Sequence, residues 1–131
     1  MDLDSAIQLV EATEPSPDRG RLLSIISNTV VGLYKRYYGK GPTKARSYYV
    51  DDMVVCVLRG GLTRAEVTLA ESGRGDLVTR QRHDLQQAIR GEFIRAVEDL
   101  VGRRVIAYIS GTHTYPDVSV EVFMLEPEAP A

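Results

Sequence analysis

Between Arg21 and Tyr38 the apolar positions recur at helical spacing: Leu22, Ile25, Ile26, Thr29, Val30, Leu33, Tyr34 and Tyr37 form one broad stripe, with Ser24, Asn28, Lys35 and Arg36 elsewhere. That period predicts an amphipathic helix. Gly39-Lys40-Gly41-Pro42 stops it, because glycine takes a left-handed cap and proline cannot continue a helix. Two strand-like runs follow, about Lys44–Val50 and Met53–Leu58, joined by Asp51-Asp52. Aspartates tolerate the positive φ of a tight hairpin turn. The first run alternates and reads as half exposed. The second is apolar on both faces, the signature of an inner strand.

Gly60-Gly61 breaks the strand, and Thr63-Arg64-Ala65-Glu66 matches a capping box, which starts a short helix to about Ser72. Gly73-Arg74-Gly75 interrupts. Asp76 is placed to cap a second helix to about Val101, with an apolar stripe at Val78, Leu85, Ile89, Phe93, Ala96, Val97 and Leu100; Gly102 ends it. Two further strands are expected over Arg104–Ser110 and Val118–Leu125. In the last, Val118, Val120, Val122 and Met124 share one face, and Ser119 and Glu121 on the other are expected to meet water. The order helix, hairpin, two helices, hairpin indicates an α+β fold with a four-stranded, mostly antiparallel sheet and the helices on one face. The bare face would leave Tyr48, Val55, Val57 and Tyr108 partly exposed, and an uncovered apolar face is a self-association surface, so a homodimer is expected.

Composition sharpens this picture only in part. The chain has 131 residues, 44% hydrophobic and 26% charged, with 16 basic against 18 acidic side chains and a formal net charge of -2. These values fit one soluble globular domain and exclude collagenous, disulfide-stapled and wholly disordered chains. The near balance leaves little long-range field for nucleic acid, and no nucleic-acid partner is expected. The longest apolar run, about Met53–Leu58, falls far short of the roughly 18–20 residues of a membrane span, so no insertion into a bilayer is expected. No basic segment precedes a hydrophobic one at the N-terminus, and the single Cys56 sits in an apolar run, as a small buried thiol does; both fit a cytoplasmic protein. Residues 1–19, with Pro15 and Pro17, read as a flexible leader that could hold a short helix at Asp4–Val10. The domain then spans 20–126, and 127–131 is a frayed tail.

Two polar segments carry candidate chemistry. Gly39–Arg46 offers a glycine-rich backbone with lysines and an arginine, which can cradle a phosphate or carboxylate. It lacks Walker A spacing, and a helix C-cap with strand entry accounts for the same residues. Ser110–Asp117 connects two apolar strands and contains His113, Tyr115 and Asp117; hairpin turn chemistry is the plainer explanation. Together they define a candidate anion site of Lys40, Gly41, Thr43, Lys44, Arg46, Thr112, His113 and Asp117. Arg80–Asp84, which includes His83, reads as a solvated helix face, and Glu66, Glu71 and Glu92 show no partner in sequence. The sequence contains neither H-x-x-x-H nor C-x-x-C spacing, so no metal or cofactor is expected, and no nucleophile elbow appears. Tyr34, Tyr37, Tyr38, Tyr48 and Tyr49 lie among basic residues; helical phase assigns Tyr34 and Tyr37 to the buried face rather than to base stacking.

Taken together, Tyr37–Arg46, Gly60-Gly61-Leu62-Thr63, Gly102-Arg103-Arg104-Val105 and Thr112-His113 with Pro116-Asp117 resemble the family once called DUF2294. That family is now named for the MpsC subunit of a sodium-translocating, membrane-potential-generating system. The resemblance covers roughly residues 20–126. It implies an association with integral membrane partners and bacterial inorganic-carbon supply, and it brings no established catalytic residues. The expectation is a non-enzymatic cytosolic accessory or regulatory domain; the alternative is a dimeric small-molecule or nucleotide-binding sensor unrelated to ion movement.

Overall fold

The structure, a computed structural model, describes residues 17–129. The expected helix at Asp4–Val10 lies outside the described residues. Seven elements follow in order: α1 (Pro17–Tyr38), β1 (Lys44–Val50), β2 (Met53–Arg59), α2 (Arg64–Glu71), α3 (Gly75–Val101), β3 (Val105–His113) and β4 (Val118–Leu125). The arrangement is α+β, as the element order indicates. Helix α1 begins at Pro17, earlier than the stripe alone implies, because proline is well tolerated in a helix's first turn. Thr63 caps α2 with both halves of the capping box in place. Helix α3 starts at Gly75 with no side-chain cap at Arg74, so the expected cap at Asp76 is instead a first-turn residue.

The four strands are antiparallel in the order β1-β2-β4-β3. Each hairpin therefore supplies one edge strand and one central strand, and β2 and β4 meet at the middle. The β1–β2 turn pivots on Asp51 at φ 52°, the positive value that aspartate tolerates. Gly60, at φ +72°, leaves β2 under a close approach from the Thr43 side chain, which a Cβ there would strike. Only glycine fits that position.

The helices cover one face of the sheet. Val54, Cys56 and Leu58 of β2 and Phe123 and Leu125 of β4 pack there against Ile26, Val30 and Tyr34 of α1 and Ile89, Phe93 and Val97 of α3. Phe93 is central: its ring meets Tyr34 edge-on at 5.7 Å and stacks at 6.2 Å on Tyr108, which in turn lies 5.1 Å from Phe123. Such aromatic chains add geometric preference to the burial of area.

Three sequence expectations are corrected here. Ser119 and Glu121 face the helices and are buried, while Val118, Val120, Val122 and Met124 line the open face. Both faces of β4 carry apolar groups, so alternation could not tell which side was covered. Tyr108 is also buried rather than exposed on the bare face. An irregularity in pairing between Val105 and Ala107 inserts one residue and reverses the alternation beyond it, which turns Tyr108 toward the helices. Finally, β3 runs on to His113, so Thr112 and His113 belong to a strand and only the residues beyond them to the turn.

Candidate functional site

Two groups of polar side chains stand out, one in the interior and one at an end of the open face. The interior group centres on Glu121, which is fully buried (0% exposed). Its carboxylate accepts hydrogen bonds from the hydroxyls of Tyr34 and Tyr108, from Gln86 Nε2 at 3.0 Å and from Ser110 Oγ at 2.9 Å. Gln86 also accepts from the Tyr38 hydroxyl at 2.7 Å and donates to Tyr108 at 2.6 Å. Burial raises the Glu121 carboxyl above the usual carboxylate range, and the four donors offset that only in part. Burial and the nearby carboxylate likewise raise Tyr34 and Tyr108, so both remain protonated donors.

One turn earlier on α3, Arg82 is buried at 2% exposed, contrary to the solvated face expected for Arg80–Asp84; its neighbours Arg80, Gln81, His83 and Asp84 are exposed. Arg82 donates through Nε and Nη2 to Glu66 at 2.7 and 2.5 Å and through Nη2 to the Gly61 carbonyl at 2.9 Å, and its guanidinium lies 3.9 Å from the Tyr38 ring centroid. Glu66 thus has the partner that the sequence did not reveal. Burial pushes its carboxyl up, but the bonds from Arg82 and the Thr63 amide outweigh this and hold it below its ordinary value. Glu92 too has partners, the hydroxyl of Tyr37 and the guanidinium of Arg36 at 3.9 Å. The interior network ties α1, α2 and α3 to the sheet, and in it, among the described residues, only Arg82 Nη1 is buried without a hydrogen-bond partner. Cys56 lies in the same layer, where burial raises its thiol to about 11, which makes it an inert core group.

The second group is cationic. Register places Lys44 directly opposite Arg59, and Arg46 opposite Val57 in the next row of the same open face. Lys44, Arg46 and Arg59, with Tyr48 and Val57, line a recess of about 310 Å³. None of the three cations forms an ion pair among the described residues. Arg46 lies 5.2 Å from the ring centroid of Tyr48. Like charges placed opposite each other on paired strands repel, and an anionic group in the recess would relieve that repulsion.

The sequence-derived site residues divide accordingly. Lys44 and Arg46 belong to the recess. Lys40 donates to the Leu62 carbonyl at 2.9 Å, Thr43 bonds the Arg59 carbonyl through its amide at 2.9 Å and its hydroxyl at 3.2 Å, and Asp117 accepts from the amides of Gly61 and Leu62 at 3.3 and 3.0 Å. These three converge, but on the loop after β2, which they fasten. Gly41 lies where a Cβ would be 3.2 Å from Val31, Thr112 accepts from the Ser119 hydroxyl at 3.3 Å, and His113 Nδ1 is 2.8 Å from the Pro116 carbonyl. Lys44, Arg59, Val118 and His113 fall in one cross-sheet row, so both segments reach the same end of the sheet. They do so on opposite edges, about 14 Å apart across three strand spacings. Arg59 was missed, although counting outward from Asp51-Asp52 sets it opposite Lys44. Arg82, Gln86 and Glu121 were missed because a polar side chain gives no local sign of burial.

With this geometry in hand, comparison with known proteins gives a family. The family model described as "Na+-translocating membrane potential-generating system (MpsC)" matches residues 18–127. The chain belongs to the MpsC family. It is also 27% identical, over 96 residues, to the uncharacterized protein YrhF of Bacillus subtilis (strain 168), which covers 72% of this chain and 79% of YrhF. No solved structure matches it. Among the described residues, no helix of this MpsC family member is long and apolar enough to cross a membrane, and no group of three His, Cys, Asp or Glu side chains is arranged to hold a metal ion.

Proposed function

We propose that this chain is a non-enzymatic, cytoplasmic accessory domain of a sodium-translocating, membrane-potential-generating system, acting by association with its membrane subunits rather than by turnover. Family membership supports the relation to such a system. The observation that carries the binding role is the recess of Lys44, Arg46 and Arg59, three cations without ion-pair partners among the described residues. An acidic group on a partner would relieve their mutual repulsion. Co-expression with the membrane subunits of the system should bring the chain into the membrane fraction, and Arg46→Glu with Arg59→Glu should release it. Both residues are exposed, so the variant should keep its melting temperature. A chain that stays out of the membrane fraction when those subunits are present refutes the reading.

The same recess supports a second reading, a sensor of small anions. Here phosphate or bicarbonate titrated into labelled protein should shift the amide resonances of residues 44–46 and 57–59. Shifts that persist in the double variant, or none at millimolar anion, would count against it.

A further inference from the structure

The open face of the sheet is an apolar surface for which the described residues offer no cover. Its middle row reads Tyr48, Val55, Val122 and Ile109 across the four strands, and the next row toward the β1–β2 turn reads Val50, Met53, Met124 and Ala107. Tyr48 is 39% and Ile109 62% exposed. All three helices lie on the other side. Isolated apolar side chains on a surface are ordinary, but a contiguous plate of this kind marks an interface.

We infer that a second copy of this chain covers the face, with the two sheets stacked in a two-fold symmetric sandwich. Size favours this occupant. Four strands at about 4.8 Å and seven residues at about 3.3 Å make a plate of about 19 by 23 Å. Two facing plates remove on the order of 1,000 Å² from water, the lower bound for a specific interface. Self-complementarity favours it too: the two rows named above contain no charged side chain, and the row beside them adds only Arg46, on the edge strand β1, so no ion need be buried at the centre of the stack.

Charge then selects the symmetry axis. A two-fold axis in the interface and parallel to the strands would stack the end that carries Lys44, Arg46, Arg59 and His113 on its own copy. An axis perpendicular to the strands sets β1 over β1 with the ends reversed. That brings the exposed Asp51 turn of each chain to the cationic end of the other. One carboxylate faces three cations, so positive charge remains at each end for the anionic group of the accessory reading. The inference deepens that reading but is tested by mass, not by membrane association, so either can fail without the other.

Sedimentation velocity of the full chain over micromolar to several hundred micromolar concentration tests it. The wild type should sediment at twice its 14.5 kDa chain mass. Val122→Lys, and independently Ile109→Lys on the exposed edge strand, should raise the dissociation constant about a hundredfold or more, because each dimer then buries two unpaired ammonium groups. Asp51→Asn, which keeps the turn, should raise it roughly two- to tenfold, as expected for rim ion pairs. A wild type that remains monomeric at the highest concentration overturns the inference, and so does a dimer indifferent to both lysine variants. An Asp51→Asn dimer of unchanged affinity overturns the perpendicular axis.

Discussion

Glu121 shows how much one side chain can depend on its surroundings. In the sequence it is the only charge in an apolar strand; in the structure it is the hub on which Tyr34, Tyr108, Gln86 and Ser110 converge. Its raised carboxyl makes the native state bind more protons than the unfolded chain above the ordinary glutamate value of about 4.3. Its contribution to stability is therefore full below that value and drains away as pH rises through the folded one. Glu66, held low, acts in the opposite sense: its contribution is present above about 4.3 and is lost as pH falls through its folded value. Urea unfolding from pH 4 to 8 should show Glu121→Gln losing less stability than the wild type as pH rises. Parallel curves for the two proteins would mean that the carboxyl is not raised. None of this was legible from residue type, because alternation reports which positions share a face and not which face is covered. Ser119 and Glu121 were assigned to water for that reason.

At the scale of elements the sequence was far more informative, since ends and breaks have local chemistry. The Thr63 capping box, the glycines after α1 and α3 and the Asp51-Asp52 turn each mark a boundary that the structure places within a few residues. What local chemistry could not show is how the elements are fastened together. Helix α2 is short, and a buried bond from Arg82 of α3 to Glu66 holds it. Arg82→Met alone should cost about 3–5 kcal/mol, because it strands a buried carboxylate. Adding Glu66→Leu should recover most of that loss, less about 1 kcal/mol for the forfeited half of the capping box. Equilibrium denaturation of the two variants measures both numbers, and a double variant no better than the single one would show that the ion pair itself supplies the stability. The recess is a further case of element-level placement. Lys44 and Arg46 were recognised as cations in a strand entry, but Arg59 joins them only through the pairing of β1 with β2.

On the scale of the whole molecule, the four-stranded α+β arrangement was readable from the order of the elements, while the order of strands within the sheet was not. Two hairpins can join through either strand of each, and the observed seam runs between β2 and β4. The carbonyl and carboxylate of Asp117, at the end of the second hairpin, also take the amides of Gly60, Gly61 and Leu62 just after the first. Neither half of the chain can then complete its own layer: residues before Gly73 hold α1, β1, β2 and α2, and those after it hold α3, β3 and β4. Separate peptides 1–73 and 74–131 should each lack stable structure by circular dichroism and recover the native spectrum only on mixing. A strand added at the midline leaves a protein with no subdomain to retreat to, so a lesion in either ribbon propagates to the other, and the chain exists whole or not at all.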